Sequence, residues 1–428
     1  MYSRRADARS LVGAIVALGM CAHSHAQVFE KVADTNDGFP FVAGNIDGFD
    51  ASPAIDGENI YFLARIGSFQ GVLFNSGGSL FSIANEVTTA TLHEESFSGF
   101  SHVSAGDGRV GFNASVSNDP VIYGDTGASQ IMLASTSQTT LGGTVIFSEL
   151  GNVYMDSGNA AFWATLQEVP FGPEALFLAS ENAGVGDIAV KTGDGMPAAS
   201  DFFQTFGRAP VSQGFLTIFN GRGTTTEGIY LTGTLAAERI IDNSTFSTTR
   251  TSANYENFRD QISASETDVA FIADLNEHDV RASIVTMNTI DRTTRDVTQI
   301  ASTLDSPSAA FGTFTDFLDT SISMEATIFT ATGSTLVRGE SQQGLFVFID
   351  DTLITLVDRL STIDGKLVDE VAIGNDSIED LLVAFRVVFA DGSGGIYSID
   401  LNTIPAPGVG AAMMLAGLGG VRRTRRIG

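Results

Sequence analysis

Few residues in this chain have the types that do chemistry, and their spacing is uninformative. Beyond residue 26 there are three histidines, His93, His102 and His278. Histidine serves as a general base or metal ligand, yet His93-Glu94-Glu95 lacks the second histidine of a His-Glu-x-x-His zinc site. His93 and His102 fall in and just beyond a predicted loop, where a plain surface role is expected. Asp34, Asn36, Asp37, Asp47 and Asp50 crowd one Gly-rich segment, with Asp194 and Asp305 in loops of similar character. Oxygen donors at such spacing suit Ca²⁺, but the glycine an EF-hand loop needs at its sixth position is missing. Asx and Asp-Gly turns explain the same residues without an ion. No cofactor is therefore expected, and Ca²⁺ is the one candidate. Serine is abundant, but no Gly-x-Ser-x-Gly elbow occurs. Gly417-Leu418-Gly419-Gly420 has no strand before it and is no phosphate loop. No catalytic residue is nominated.

Composition narrows the partners. Fifty acidic residues against 23 basic ones give a formal charge of −27. A phosphate backbone would be repelled, so nucleic acid is not an expected partner. Lys31, Lys191 and Lys366 are the only lysines. The 46 glycines and 31 phenylalanines, in a chain 43% hydrophobic, point to short strands joined by tight turns.

Any site must therefore sit on a β scaffold, and the body repeats about every 50–60 residues, a period of the kind that marks repeat architectures. The first copy reads Ser52-Pro-Ala-Ile-Asp-Gly, Asn59-Ile-Tyr-Phe-Leu-Ala-Arg, Gly71-Val-Leu-Phe, then Ser79-Leu-Phe-Ser-Ile-Ala, with Asp56-Gly57 and Gly77-Gly78 as turns. The second strand recurs at Arg109, Asn159, Gly214, Asp268, Ala326 and Leu382, and the third at Pro120, Ala175, Gly228, Ser283, Gly344 and Gly395. The fourth recurs around Ile131, Ile188, Ile240, Ile300 and Leu356. Four-strand units of this length predict an all-β protein, a β-propeller of seven four-stranded blades. The seventh repeat lacks a fourth strand, while Gln27 to Asp34 forms an orphan strand. The N-terminal strand is thus expected to close the last blade. Trp163 reads as occupying the recurrent Phe position of its second strand, as blade core.

Residues 1–26 have the parts of a secretory signal peptide: Arg4, Arg5 and Arg9, an apolar run from Leu11 to Cys21, and Ser24-His25-Ala26 before Gln27. Cleavage after Ala26 removes Cys21, the only cysteine. Residues 27–403 form the propeller domain and 404–428 a C-terminal tail. In the tail, Pro405-Ala406-Pro407-Gly408 precedes an apolar stretch, Val409 to Val421, and then Arg422, Arg423, Arg425 and Arg426. This order resembles the PEP-CTERM sorting tails of Gram-negative bacteria, with PAPG in place of PEP. The resemblance implies brief anchoring by a transmembrane helix in the inner membrane, with the arginines cytoplasmic, and then cleavage by an exosortase-type protease. The strand pattern around Val32-Ala-Asp-Thr-Asn is similar to repeats in other uncharacterised propeller proteins with such tails.

The expectation is an exported cell-surface or extracellular-matrix protein with a non-catalytic binding or structural role, meeting extracellular polysaccharide or other surface proteins. The alternative is a carbohydrate-active hydrolase or lyase that acts on matrix polysaccharide through carboxylates at the channel mouth. Such chemistry depends on a carboxylate separation that spacing in sequence does not give.

Overall fold

The computed structural model describes residues 27–404, apart from 92–93, 126–129, 138–145, 168–172, 181–187, 234–235, 248–252 and 278–283. The predicted strands form seven antiparallel sheets, each a blade. Blade 2 shows the plan: Phe97–Gly106, Arg109–Val116, Asp119–Asp125 and Gln130–Ser135 pair in sequence order. Tight hairpins make this possible. Asp107-Gly108 and Ser117-Asn118 each place two successive residues at positive φ (51° and 74°, 53° and 72°), the geometry whose twist matches paired strands.

The seven innermost strands touch their neighbours around a circle: Ala54–Asp56, Phe97–Gly106, Phe147–Asp156, Val211–Gln213, Ile262–Ala264, Phe314–Ile322 and Ile378–Glu379, which returns to Ala54–Asp56. The circle is sealed as the sequence predicts. Strand Glu30–Asp34 pairs with Gly394–Asp400, Lys31 opposite Tyr397 and Ala33 opposite Ile396. It is the fourth strand of blade 7. Val32 and Ala33 point into the core, whereas Val28 is 73% exposed. Phe29 packs edge-on against Phe385 with centroids 5.7 Å apart.

The core lies between blades and is built from repeated aromatic pairs. Phe112 stacks on Tyr123, Phe162 on Phe177, Phe219 on Tyr230 and Phe329 on Phe346, each directly cross-strand. Such pairs add to area burial. One assignment is corrected here. Phe162, not Trp163, holds the recurrent Phe position; Trp163 is fully buried on the opposite face of the same strand, among Phe206 and Phe219 of blade 4.

Each fourth strand bulges where it pairs with the third, as at Ile229/Tyr230 and Leu345/Phe346. Beside the bulge a carbonyl of the fourth strand lies close to one residue of the third strand. A Cβ on Gly228 would sit 2.2 Å from the Ile241 oxygen, which is why glycine recurs there.

The described residues outside the body, Gln27–Val28 and Asp400–Ile404, belong to a separate unit. In it a short 3₁₀ turn, Leu401–Thr403, is capped by Asp400, which accepts from the Asn402 N–H. Among the described residues, no helix is long and apolar enough to cross a membrane. The predicted signal peptide and the tail residues Pro405 to Arg426 lie outside the described residues, as do His93 and His278.

Candidate functional site

The inner strand of blade 7 is broken. Between Lys366–Ala372 and Ile378–Glu379, residues 373–377 leave the sheet and cross the channel. The Asn375 carbonyl accepts from Ser263 Oγ (2.9 Å) and Ser321 Oγ (2.7 Å), and its Nδ2 donates to the Ile262 carbonyl (2.7 Å). The Ile55 N–H donates to the Asp376 carbonyl (2.8 Å) and Ser377 Oγ to the Pro53 carbonyl (2.7 Å). Ser104 Oγ donates to the Asp376 carboxylate. One segment thus binds the inner strands of blades 1, 2, 5 and 6 and plugs the channel.

The plug separates two cavities that share Asn375 and Asp376. The smaller, about 240 Å³, lies toward the N-terminal ends of the inner strands and includes His102, Asn152, Tyr154, Gln261 and Asp319. Burial is the main influence on its ionisable groups. His102 is pushed down to about 4, while Tyr154 and Asp319 are raised. His102 was expected at the surface. It instead lies on the inner strand of blade 2, its ring 5.0 Å from that of Tyr154, and its Nε2 has no hydrogen-bond partner among the described residues.

The larger cavity, about 460 Å³, opens at the other mouth, and residues from all seven blades line it, including Asp107, Asp156, Glu266, Arg292, Asp376 and Glu379. Three of its carboxylates, Asp107, Asp156 and Glu379, are joints between blades, as is Asp56 beside the lining Ile55. Asp56 accepts from the Gly108 N–H (2.7 Å), Asp156 from the Gly214 N–H and Glu379 from the Gly57 N–H. Asp107 accepts from Ser157 Oγ. Blades 7, 1, 2, 3 and 4 are linked in sequence this way. Burial raises Asp56, Asp156 and Glu379 above the usual carboxylate range, and the N–H donors oppose the rise. Asp376 is the extreme case, pushed up to about 7 by complete burial, with the Ser104 hydroxyl working against it.

The aspartates weighed as Ca²⁺ ligands have other work. Asp37, Asp194 and Asp305 each accept the N–H three residues earlier, at Asp34, Lys191 and Ser302 (2.7, 2.9 and 2.8 Å). Asp47 and Asp50 pair with Arg65 (3.5 and 2.9 Å). Asn36 serves as a turn residue, its N–H donating to Asp34. Among the described residues no three acidic, histidine or cysteine side chains gather as a metal site.

Sequence reasoning did not single out Ser104, Asp376 or Arg292, because none lies in a motif. One signal was present. A serine recurs on the inner strands of blades 2, 4, 5 and 6, at Ser104, Ser212, Ser263 and Ser321, and three of these four bind the plug or its carboxylate.

Residues 30–364 match a family described as "Family of unknown function (DUF7453)". No curated protein matches the chain. Among solved structures it is similar to the β-propeller domain of the Trilobed protease from Pyrococcus furiosus, at 10% identity and a TM-score of 0.51, covering 82% of this chain and 94% of that one. That ring is described as having an open velcro topology, whereas here Glu30–Asp34 closes the last blade. Oligogalacturonate lyase from Vibrio parahaemolyticus aligns at 9% identity and a TM-score of 0.46, over 89% of this chain and 97% of that one. Polysaccharide lyase Uly1 aligns at 8% and 0.46, over 88% and 98%. These likenesses concern the fold, which does not fix an activity.

Proposed function

The chain belongs to DUF7453, a family of unknown function, and from that membership and the geometry of the channel we propose that it is an exported, non-catalytic propeller that binds a surface or matrix ligand at its open mouth. The observation that carries this reading is the use of the mouth carboxylates. Asp156 and Glu379 each hold the N–H of the next blade, and Asp56, beside the lining Ile55, does the same. An acid–base pair must instead meet a substrate proton directly. The plug at residues 373–377 also closes the path through the ring. What remains is a rigid, polar, concave surface assembled from turns of all seven blades, the kind of place where a propeller presents ligand contacts.

Export is part of the proposal and rests on the sequence of residues 1–26. Extracellular polysaccharide and other surface proteins are the partners considered, and an exosortase-type protease would act on the tail through Pro405 to Gly408 and the arginines after it. N-terminal sequencing of the exported chain should begin at Gln27.

The second reading, a matrix-polysaccharide hydrolase or lyase, draws on one observation: Asp376 is held near 7 at the base of the mouth, where a general acid or base works best. Incubating the purified chain with neutral and acidic matrix polysaccharides separates the two. Retention of a polysaccharide or surface protein without new reducing ends or unsaturated products supports binding. Product formation that disappears in Asp376→Asn establishes the enzyme.

A further inference from the structure

Among the described residues, Arg292 is the one cation lining the open mouth with unpartnered donors; Ser212 Oγ and Gln213 Oε1, also on the wall, lack partners too. Arg292 follows strand Ile284–Asp291 of blade 5, on a turn fixed by two N–H bonds to the Asp291 carboxylate, from Thr293 and Thr294 (both 2.7 Å), and by its own N–H to the Thr267 carbonyl (2.8 Å). The side chain lines the cavity. Its Nε and Nη1 are buried and have no partner among the described residues. Other arginines of this acidic chain are paired: Arg65 with Asp50, Arg259 with Asp316 and Arg338 with Asp369, each at 2.9 Å. Among the described residues Arg292 makes no ion pair within that reach. Burial is the main influence on it and lowers its hold on the proton; the charge of Arg295 adds to that, and those of Asp268, Glu266 and Asp291 act against it.

Arg292 is half-buried, and guanidinium donors shut off from water without a partner are costly; the end of the group, Nη1 with Nη2, has the planar fork that matches a carboxylate. The other charged groups of the wall have the opposite sign: Asp107, Asp156, Glu266 and Glu379. Asp107 belongs to blade 2, across the ring from blade 5. A simple anion would satisfy Arg292 but meet the acids. A simple cation would satisfy the acids and leave Arg292 idle. We propose that the mouth binds a small dipolar ligand, its carboxylate on Arg292 and its ammonium or guanidinium groups toward Asp107 and Glu266, the chemistry of a basic amino acid or the end of a short basic peptide. This rests on the reading of the mouth as a binding site and names its ligand class.

The test is calorimetric titration of the full chain with arginine, arginine methyl ester and agmatine, the last two lacking the free carboxylate. Arginine should bind, and the other two should bind roughly tenfold or more weakly, the loss of one charge-assisted bidentate pair. Arg292→Gln should bind all three about equally. Arg292→Lys keeps the charge without the fork and should show reduced discrimination; it serves if the Gln variant does not fold. Equal binding of arginine and its ester by the natural chain overturns the proposal, as does discrimination that survives in both variants, or no binding of any probe. If the same preparation retains a polysaccharide while no probe binds, this inference fails and the binding reading stands. If nothing is retained, both fail.

Discussion

Ser104 and Asp376 lie 272 positions apart in sequence and meet at the ring axis, the Ser104 hydroxyl donating to the carboxylate at 2.5 Å. The same oxygen accepts the Met155 N–H at 2.9 Å. One side chain of blade 2 thereby joins the inner strand of blade 3 to the plug of blade 7. Because the plug also bonds blades 1, 5 and 6, the centre of the ring is a polar network that includes the Asp376 carboxyl. Such a network is strong when satisfied and fragile when one member is lost.

The first prediction concerns that carboxyl and pH. In the native chain Asp376 keeps its proton until about pH 7, against an ordinary 3.8. Once unfolded it releases the proton near the ordinary value. Between the two, the native state binds more protons than the unfolded state, so stability falls as pH rises and levels off above 7. A three-unit separation corresponds to at most about 4 kcal/mol. Asp376→Asn keeps an oxygen for Ser104 and removes the titration. Its unfolding free energy relative to the natural chain should therefore rise from pH 4 to pH 7. Denaturant unfolding at several pH values checks this, and a constant difference between the two proteins refutes it.

Ser104→Ala should be destabilising, because it leaves the buried Met155 N–H without its acceptor and the carboxyl without its hydroxyl donor; losses of this kind cost about 1–3 kcal/mol. The penalty should be larger at pH 8 than at pH 5, since a hydroxyl bonds an ionised carboxylate more strongly than a neutral acid. The native Asp376 should titrate above its natural value in this variant, which carboxyl-resolved NMR would read.

The glycines of the third strands that face the fourth-strand bulge give a graded test. Gly228 and Gly344 stand opposite Asp242 and Asp358, the position Ala175 takes opposite Lys191 in blade 3. A Cβ at 344 would meet the Val357 carbonyl at 3.0 Å, but at 228 it would meet the Ile241 carbonyl at 2.2 Å. Gly228→Ala should therefore cost toward the upper end of the ~1–3 kcal/mol typical of overpacking, and Gly344→Ala toward the lower end. Thermal unfolding of the two variants checks the order.

What was legible in the sequence follows from how local each cause is. Second and third strands stood out because their Phe, Tyr and Ile residues are buried on both faces between blades, as at Phe329 and Phe346, and read as short apolar runs. The closing strand was legible by counting. The site was not, because its parts are ordinary residues brought together by closure: Ser104, Arg292 and Asp376 come from blades 2, 5 and 7. His102 misled because its strand starts beside loop residues, and its place at the axis depends on the ring. Trp163 misled because adjacent strand positions face different blades, so a one-residue offset changes which core a side chain joins.

The last prediction concerns closure. Glu30–Asp34 brings to blade 7 a ladder with Gly394–Asp400, an added bond from Thr35 N–H to the Gly394 carbonyl (3.2 Å), and a bond from Asn75 Nδ2 of blade 1 to the Val32 carbonyl (2.8 Å). Val32 and Ala33 are buried with it. A chain that begins after Thr35 loses several backbone hydrogen bonds at roughly 1 kcal/mol net each and one buried valine worth about 1.5–3 kcal/mol. It also bares the edge of strand Gly394–Asp400, with Ile396 and Tyr397 facing it, and an open edge invites pairing with another chain. The truncated chain should unfold at lower temperature and show larger species by light scattering. A synthetic peptide of residues 27–35 should restore both properties in part by refilling the edge. A truncated chain as stable and as monomeric as the natural one would mean that the N-terminal strand rests on the ring without closing it.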